Sequence, residues 1–83
     1  MKNNQKILSL LAKLLNISVS KINISSSVNN LDEFDSLAVL NIATYFEKKT
    51  KNLKIKYDVK DFSSVKNIIK FIEKNKIKIW ILR

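Results

Sequence analysis

Few residues in this chain can do chemistry. There is no histidine and no cysteine among its 83 residues. That removes imidazole bases, thiol nucleophiles, disulfides and the usual zinc ligand sets. Seven carboxylates remain, and three of them, Asp32, Glu33 and Asp35, stand together near the middle, with Ser36 directly after. A serine hydroxyl becomes a nucleophile only beside a base, and nothing in the sequence pairs with Ser36 in that role. Three neighbouring acids could hold a divalent cation. No further ligand type accompanies them, so no metal site is expected. A helix start explains the same residues. An Asp side chain accepts from the free N–H groups of the first turn, and acids favour the positive end of the helix dipole. The inventory points away from an enzyme.

The elements that must position these residues are helical. Glycine and proline are both absent, which excludes Gly-rich phosphate loops, the dinucleotide fingerprint and most tight hairpins. Apolar residues make up 46% of the chain, enough for one small core. Ile7, Leu11, Leu14 and Leu15 recur at helical spacing, predicting a helix over 4–15, with Asn3 or Asn4 as its cap and Asn16 in the left-handed conformation at its end. Residues 17–34 lack that period and are rich in Ser and Asn. Ile17, Val19, Ile22, Ile24, Val28 and Leu31 punctuate them, so this long first loop is expected to lie packed on the helices.

Asp35 caps a second helix predicted over 36–49. It carries no charge from Ser36 to Phe46, more apolar surface than one core face needs. Leu40, Ala43 and Phe46 are expected inside, and Val39, Thr44 and Tyr45 outside. A short helix is expected over 56–61, and a last one over 64–75 after Ser63 as cap, carrying Val65, Ile68, Ile69 and Ile72 inward. Lys76 to Ile79 alternates with period two and reads as extended. The domain is placed at 1–75 and a C-terminal extension at 76–83. That extension either touches a partner or membrane through Trp80 or folds back over the core, and four apolar residues in a row favour folding back.

The Asp35-Ser36-Leu37 string is weak alone. Its setting adds weight: it follows a long loop, opens the most apolar helix and lies near mid-chain. With Leu31 before it and Asp61-Phe62-Ser63-Ser64-Val65 before the last helix, the sequence resembles the acyl carrier protein family, from about Ile7 to Glu73. The resemblance implies an all-α, four-helix bundle of three long helices and one short one. It implies 4′-phosphopantetheine on Ser36, holding acyl or aminoacyl cargo as a thioester. It further implies a separate phosphopantetheinyl transferase whose Mg²⁺ Asp35 helps to hold, and Leu37 in contact with partner enzymes that load and transfer the cargo. Ala38, Val39, Asn41, Thr44 and Tyr45 would complete the partner face. Two departures stand out. Phe34, behind Asp32 and Glu33, occupies a region where many members place Gly. The second helix also lacks the acidic character usual in fatty-acid carriers, which argues for a dedicated partner set in a specialised biosynthetic pathway.

The net charge of +9 is uneven. Residues 1–47 balance four Lys against four acids, whereas residues 48–83 hold eleven Lys and Arg83 against Asp58, Asp61 and Glu73. A basic nucleic-acid-binding or protein-interaction domain is therefore the alternative reading. With one Arg and no Gly-containing recognition turn, specific nucleic-acid readout is not expected. Composition drift also accounts for the lysines, since Lys, Ile and Asn, 37 of the 83 residues, share A/T-rich codons. No membrane span and no signal peptide are expected, which points to the cytoplasm; a monomer is expected.

Overall fold

The apolar periodicities resolve into three α-helices, α1 (Lys2–Leu15), α2 (Ser36–Lys49) and α3 (Val65–Lys74), joined by single turns of 3-10 helix. The computed structural model describes residues 2–51 and 55–82, less the side chains of 2–4, 79 and 80. Among these residues the chain is all-helical. It has no β-strand, and one isolated bridge pairs Ser27 with Ser64. The short helix expected over 56–61 is a four-residue 3-10 turn, Val59–Phe62. Its acids cap its start. The Asp58 carboxylate accepts from Lys60 N–H at 3.1 Å, and Asp61 accepts from Asp58 N–H at 2.9 Å. This reciprocal capping box satisfies donors at the start of the turn.

Other boundaries also shift. α1 begins at Lys2, so Asn3 and Asn4 lie inside it rather than capping it. Asn16 does adopt positive φ, 59°, where α1 stops. Ser64, not Ser63, caps α3, accepting from Asn67 N–H at 3.1 Å. The C-terminal stretch is not extended. Lys76 takes φ 53°, Ile77 turns inward, and Ile79–Leu82 forms a 3-10 turn packed on α1 and α2 with Leu82 buried. The tail thus folds back over the helices. The Trp80 side chain lies outside the described residues.

An aromatic cluster organises the core. Phe62 packs against Phe46 and Phe71 with ring centroids 5.3 and 5.1 Å apart, and Tyr57 closes over Phe62 at 5.3 Å. Each such tilted or edge-on pair adds about 0.5–1.5 kcal/mol beyond simple burial. Phe46 stands near the end of α2 and Phe71 near the end of α3, 6.0 Å apart. At the other end Val28 N–H donates to Ser63 C=O at 3.1 Å just before α3. Val28 and Ser63 line the same groove as Ser36. α2 and α3 therefore start at one end of the molecule and finish at the other.

Candidate functional site

Ser36 opens α2, and its exposure follows from local hydrogen bonding. Asp35 stays extended, φ −98° and ψ −176°, and its Oδ1 accepts from Ala38 N–H at 2.9 Å. Its carbonyl takes the first intrahelical bond from Val39 N–H at 2.9 Å. The Ser36 and Leu37 N–H groups are left as first-turn donors facing outward. The Ser36 side chain is exposed, and its hydroxyl makes no hydrogen bond among the described residues. The Asp35 carboxylate is directed at the helix backbone, and among the described residues no base is hydrogen-bonded to that hydroxyl.

The long loop holds this helix start in place, and its Ser and Asn residues show how. Asn23 Oδ1 accepts from Ser25 N–H at 2.8 Å, and buried Ser26 accepts from Asn23 N–H at 3.0 Å. Asn30 bridges two strands of the loop, accepting from Ser27 N–H and donating to Ser25 C=O. Val65 N–H then ties the Ser26 carbonyl to the first turn of α3 at 3.0 Å. Polar side chains supply much of the anchoring. Of the loop's spaced apolar residues only Ile22 is buried, with Ile17 and Leu31 half-buried and Val19, Ile24 and Val28 exposed. Phe34 completes the anchorage with a wholly buried ring.

The three acids before the helix do not converge. Glu33 turns to Lys21, 3.1 Å away, while Asp35 caps α2. Among the described residues no group of three His, Cys, Asp or Glu could hold a metal ion. The Lys21 ammonium, hydrogen-bonded to the Glu33 carboxylate, holds the Glu33 pKa below its ordinary value.

The outer face of α2 differs from expectation at Ala38, Val39, Leu40 and Tyr45. Val39 is 4% exposed and Leu40 is 53% exposed, the reverse of the sequence reading. Ala38 is buried beside Val39, so neither offers a partner much surface. Ala38, Val39, Ile42, Ala43 and Phe46 form the inner face. Two apolar series run along α2 at helical spacing, and the inner one contains the small residues. Ala38 and Ala43 let neighbouring elements approach closely, whereas Leu37 and Leu40 are left outside. Asn41 and Thr44 are exposed, as expected. Tyr45 is half-buried, and its hydroxyl donates to the Leu82 carbonyl of the tail. Burial pushes the Tyr45 phenol pKa upward.

Beside Ser36 lies an open groove of about 520 Å³, walled by Val28, Val39, Leu40 and Val59 over the Phe34 ring, with Lys60 at its edge. Val28, Leu37, Leu40 and Val59, each between 43% and 67% exposed, gather a wet apolar patch around one serine. Val59 and Lys60 escaped the sequence reading, although the Asp58–Asp61 spacing marks the turn that carries them. No family model, curated protein or solved structure matches this chain.

Proposed function

We propose that this chain is a carrier domain that takes 4′-phosphopantetheine on the Ser36 hydroxyl and shuttles acyl or aminoacyl thioesters between partner enzymes. One observation carries the reading: an exposed, unbonded serine hydroxyl at the start of α2 opens beside an apolar groove. The group's phosphodiester would lie close to the outward N–H donors of the first turn, a favourable setting for an anion. Val28, Leu40 and Val59 would give its chain an apolar bed. The prosthetic thiol supplies the thioester chemistry, which a chain without cysteine cannot supply itself. A separate transferase would remove the Ser36 proton, since no base among the described residues is bonded to it. In this reading the Val59–Phe62 turn takes the place of the short helix in a four-helix arrangement, and Leu37, Leu40, Asn41 and Thr44 meet the partners.

Intact-mass and peptide-mapping measurements on protein treated with coenzyme A and a broad-specificity phosphopantetheinyl transferase test the proposal. Addition of one phosphopantetheine to the wild type and none to Ser36→Ala is expected, with Ser36→Ala folding normally because Asp35 still caps α2. Asp35→Ala should lose about 1 kcal/mol of stability with the cap and much of the modification rate. Absence of any adduct, or an adduct that persists in Ser36→Ala, would refute the carrier reading and leave the same face as a protein-interaction surface.

A further inference from the structure

While Lys6, Lys13 and Lys56 are exposed outside this group, seven of the lysines gather at the end opposite Ser36. α2 and α3 finish together there, and the chain leaves α3 and returns to Tyr45 through Leu82. Lys48, Lys51, Lys70, Lys74, Lys76 and Lys78 are all exposed on this end. Lys49 is half-buried over the Tyr45 ring, 5.5 Å from its centroid. Glu47 and Glu73 are the opposing acids, and Glu47 faces the Tyr57 hydroxyl at 3.5 Å. At the Ser36 end, by contrast, Lys21, Lys60 and Lys66 stand with Asp32, Glu33, Asp35, Asp58 and Asp61.

Helix dipoles account for part of this. Lys48 and Lys74 sit in last turns, where a cation is favoured. Lys51, Lys76 and Lys78 lie beyond the helices and gain nothing from that effect.

We infer that the lysine-rich end is a docking surface for an anionic membrane surface, held by charge alone and leaving Ser36 facing away from the lipid. Three features favour a lipid surface over a nucleic acid. The lysines come from three chain segments and cover a broad end rather than a track. The groove of about 560 Å³ on α3 is lined by Asp61 and Glu73 as well as Lys70 and Lys74, which would repel a phosphate backbone lying in it. Lysine offers point charges without the planar fork that reads bases, and the exposed Tyr57 ring at this end is engaged by Phe62 and Glu47 rather than standing free for stacking. Among the described residues no exposed large apolar side chain lies on α3 or the tail, so the contact is expected to be electrostatic and reversed by salt. The inference is independent of what Ser36 carries.

Co-sedimentation of the full chain with phosphatidylcholine vesicles, with and without phosphatidylserine, tests it. Binding is expected only where phosphatidylserine is present and should disappear at high salt. Each lysine contributes about fivefold to the partition coefficient, so Lys74→Glu with Lys78→Glu should lower it at least about twentyfold. Lys60→Glu with Lys66→Glu makes the same change in net charge at the Ser36 end and should lower it much less. Circular dichroism checks that both variants keep their helices. Equal losses in the two variants, equal binding to neutral vesicles, or displacement from vesicles by duplex DNA would each overturn the assignment.

Discussion

At the end where α2 begins, backbone groups are held one by one. Asp35 caps α2, Ser64 caps α3, Asp58 and Asp61 cap the turn between, and Ser26 and Asn30 tie the loop to its neighbours. The result is a surface that is uncharged at its centre yet well anchored, with Leu37 and Leu40 left in water. Toward the other end Phe46 and Phe71 close on Phe62 in the interior, and the tail closes over α1 and α2 through Leu82. Its surface is lysine. Polar anchoring at one end leaves an apolar patch in water, whereas apolar anchoring at the other leaves a largely charged surface outside. A small domain without glycine, proline or cysteine can thus differ sharply between its two ends.

The strongest test of that contrast uses adjacent residues. Val39→Asp places a carboxylate against the wholly buried Phe34 and Ile42 face and should cost about 3–5 kcal/mol, enough to unfold a domain of this size. Leu40→Asp changes a residue in water and should stay within about 0.5 kcal/mol. Thermal denaturation followed by circular dichroism separates the two. Similar losses would mean that the α2 face is rotated from the orientation described.

This pair also shows what the sequence could and could not reveal. α2 was legible to the residue, because Asp35 caps it and the uncharged run ends at Glu47-Lys48-Lys49. Its rotation was not, because Leu37/Leu40 and Val39/Ile42 are both apolar series at helical spacing. Deciding between them requires knowing that Ala38 and Ala43 admit close neighbours. Ser36 and Asp35 were legible as a helix start, and their exposure follows from it. Val28 and Val59 were hidden, since they reach the groove from segments distant in sequence, brought together by the contacts of Ser26, Val28, Ser63 and Val65. The tail misled through its alternation. Ile77 and Leu82 point inward as members of a turn and a 3-10 segment, not of a strand.

At the lysine-rich end, Leu82→Ala should cost about 2–5 kcal/mol, since its side chain is among the most deeply buried. Ser36 modification should survive at temperatures where that variant remains folded. Chemical denaturation with a transferase assay in parallel checks this. Loss of modification in the folded variant would couple the two ends and break the contrast.

A smaller effect is expected at Tyr45, whose hydroxyl holds the Leu82 carbonyl. Tyr45→Phe should cost about 1 kcal/mol for the lost hydrogen bond. The phenol pKa is raised by burial, so its contribution is full below the unfolded value of about 10 and is lost as pH rises through the higher folded value. Wild-type protein should therefore lose stability above that range more steeply than Tyr45→Phe does. Parallel alkaline slopes for the two proteins would assign the loss to other groups.

The smallest effect belongs to the Lys21–Glu33 pair, which braces the loop just before Asp35. Both side chains are well exposed and 3.1 Å apart, so water screens their attraction and holding two long side chains offsets much of it. The effect is visible in the titration of Glu33 rather than in the stability of the fold. The Lys21 hydrogen bond is the largest cause lowering the Glu33 pKa, with the Glu33 backbone N–H second. A carboxyl with a lowered folded pKa contributes above its unfolded value, about 4.3, and that contribution fades as pH falls through the folded value. Lys21→Ala should raise the Glu33 midpoint in a carboxyl NMR titration. Part of the lowering should persist, because the backbone donor remains. Thermal stability at neutral pH should change less than in Tyr45→Phe, and Ser36 should be modified as fast as in wild type. A fall in the Ser36 modification rate in Lys21→Ala would instead make this surface pair part of what positions α2, moving the anchoring of the site outward from its backbone caps to its charges.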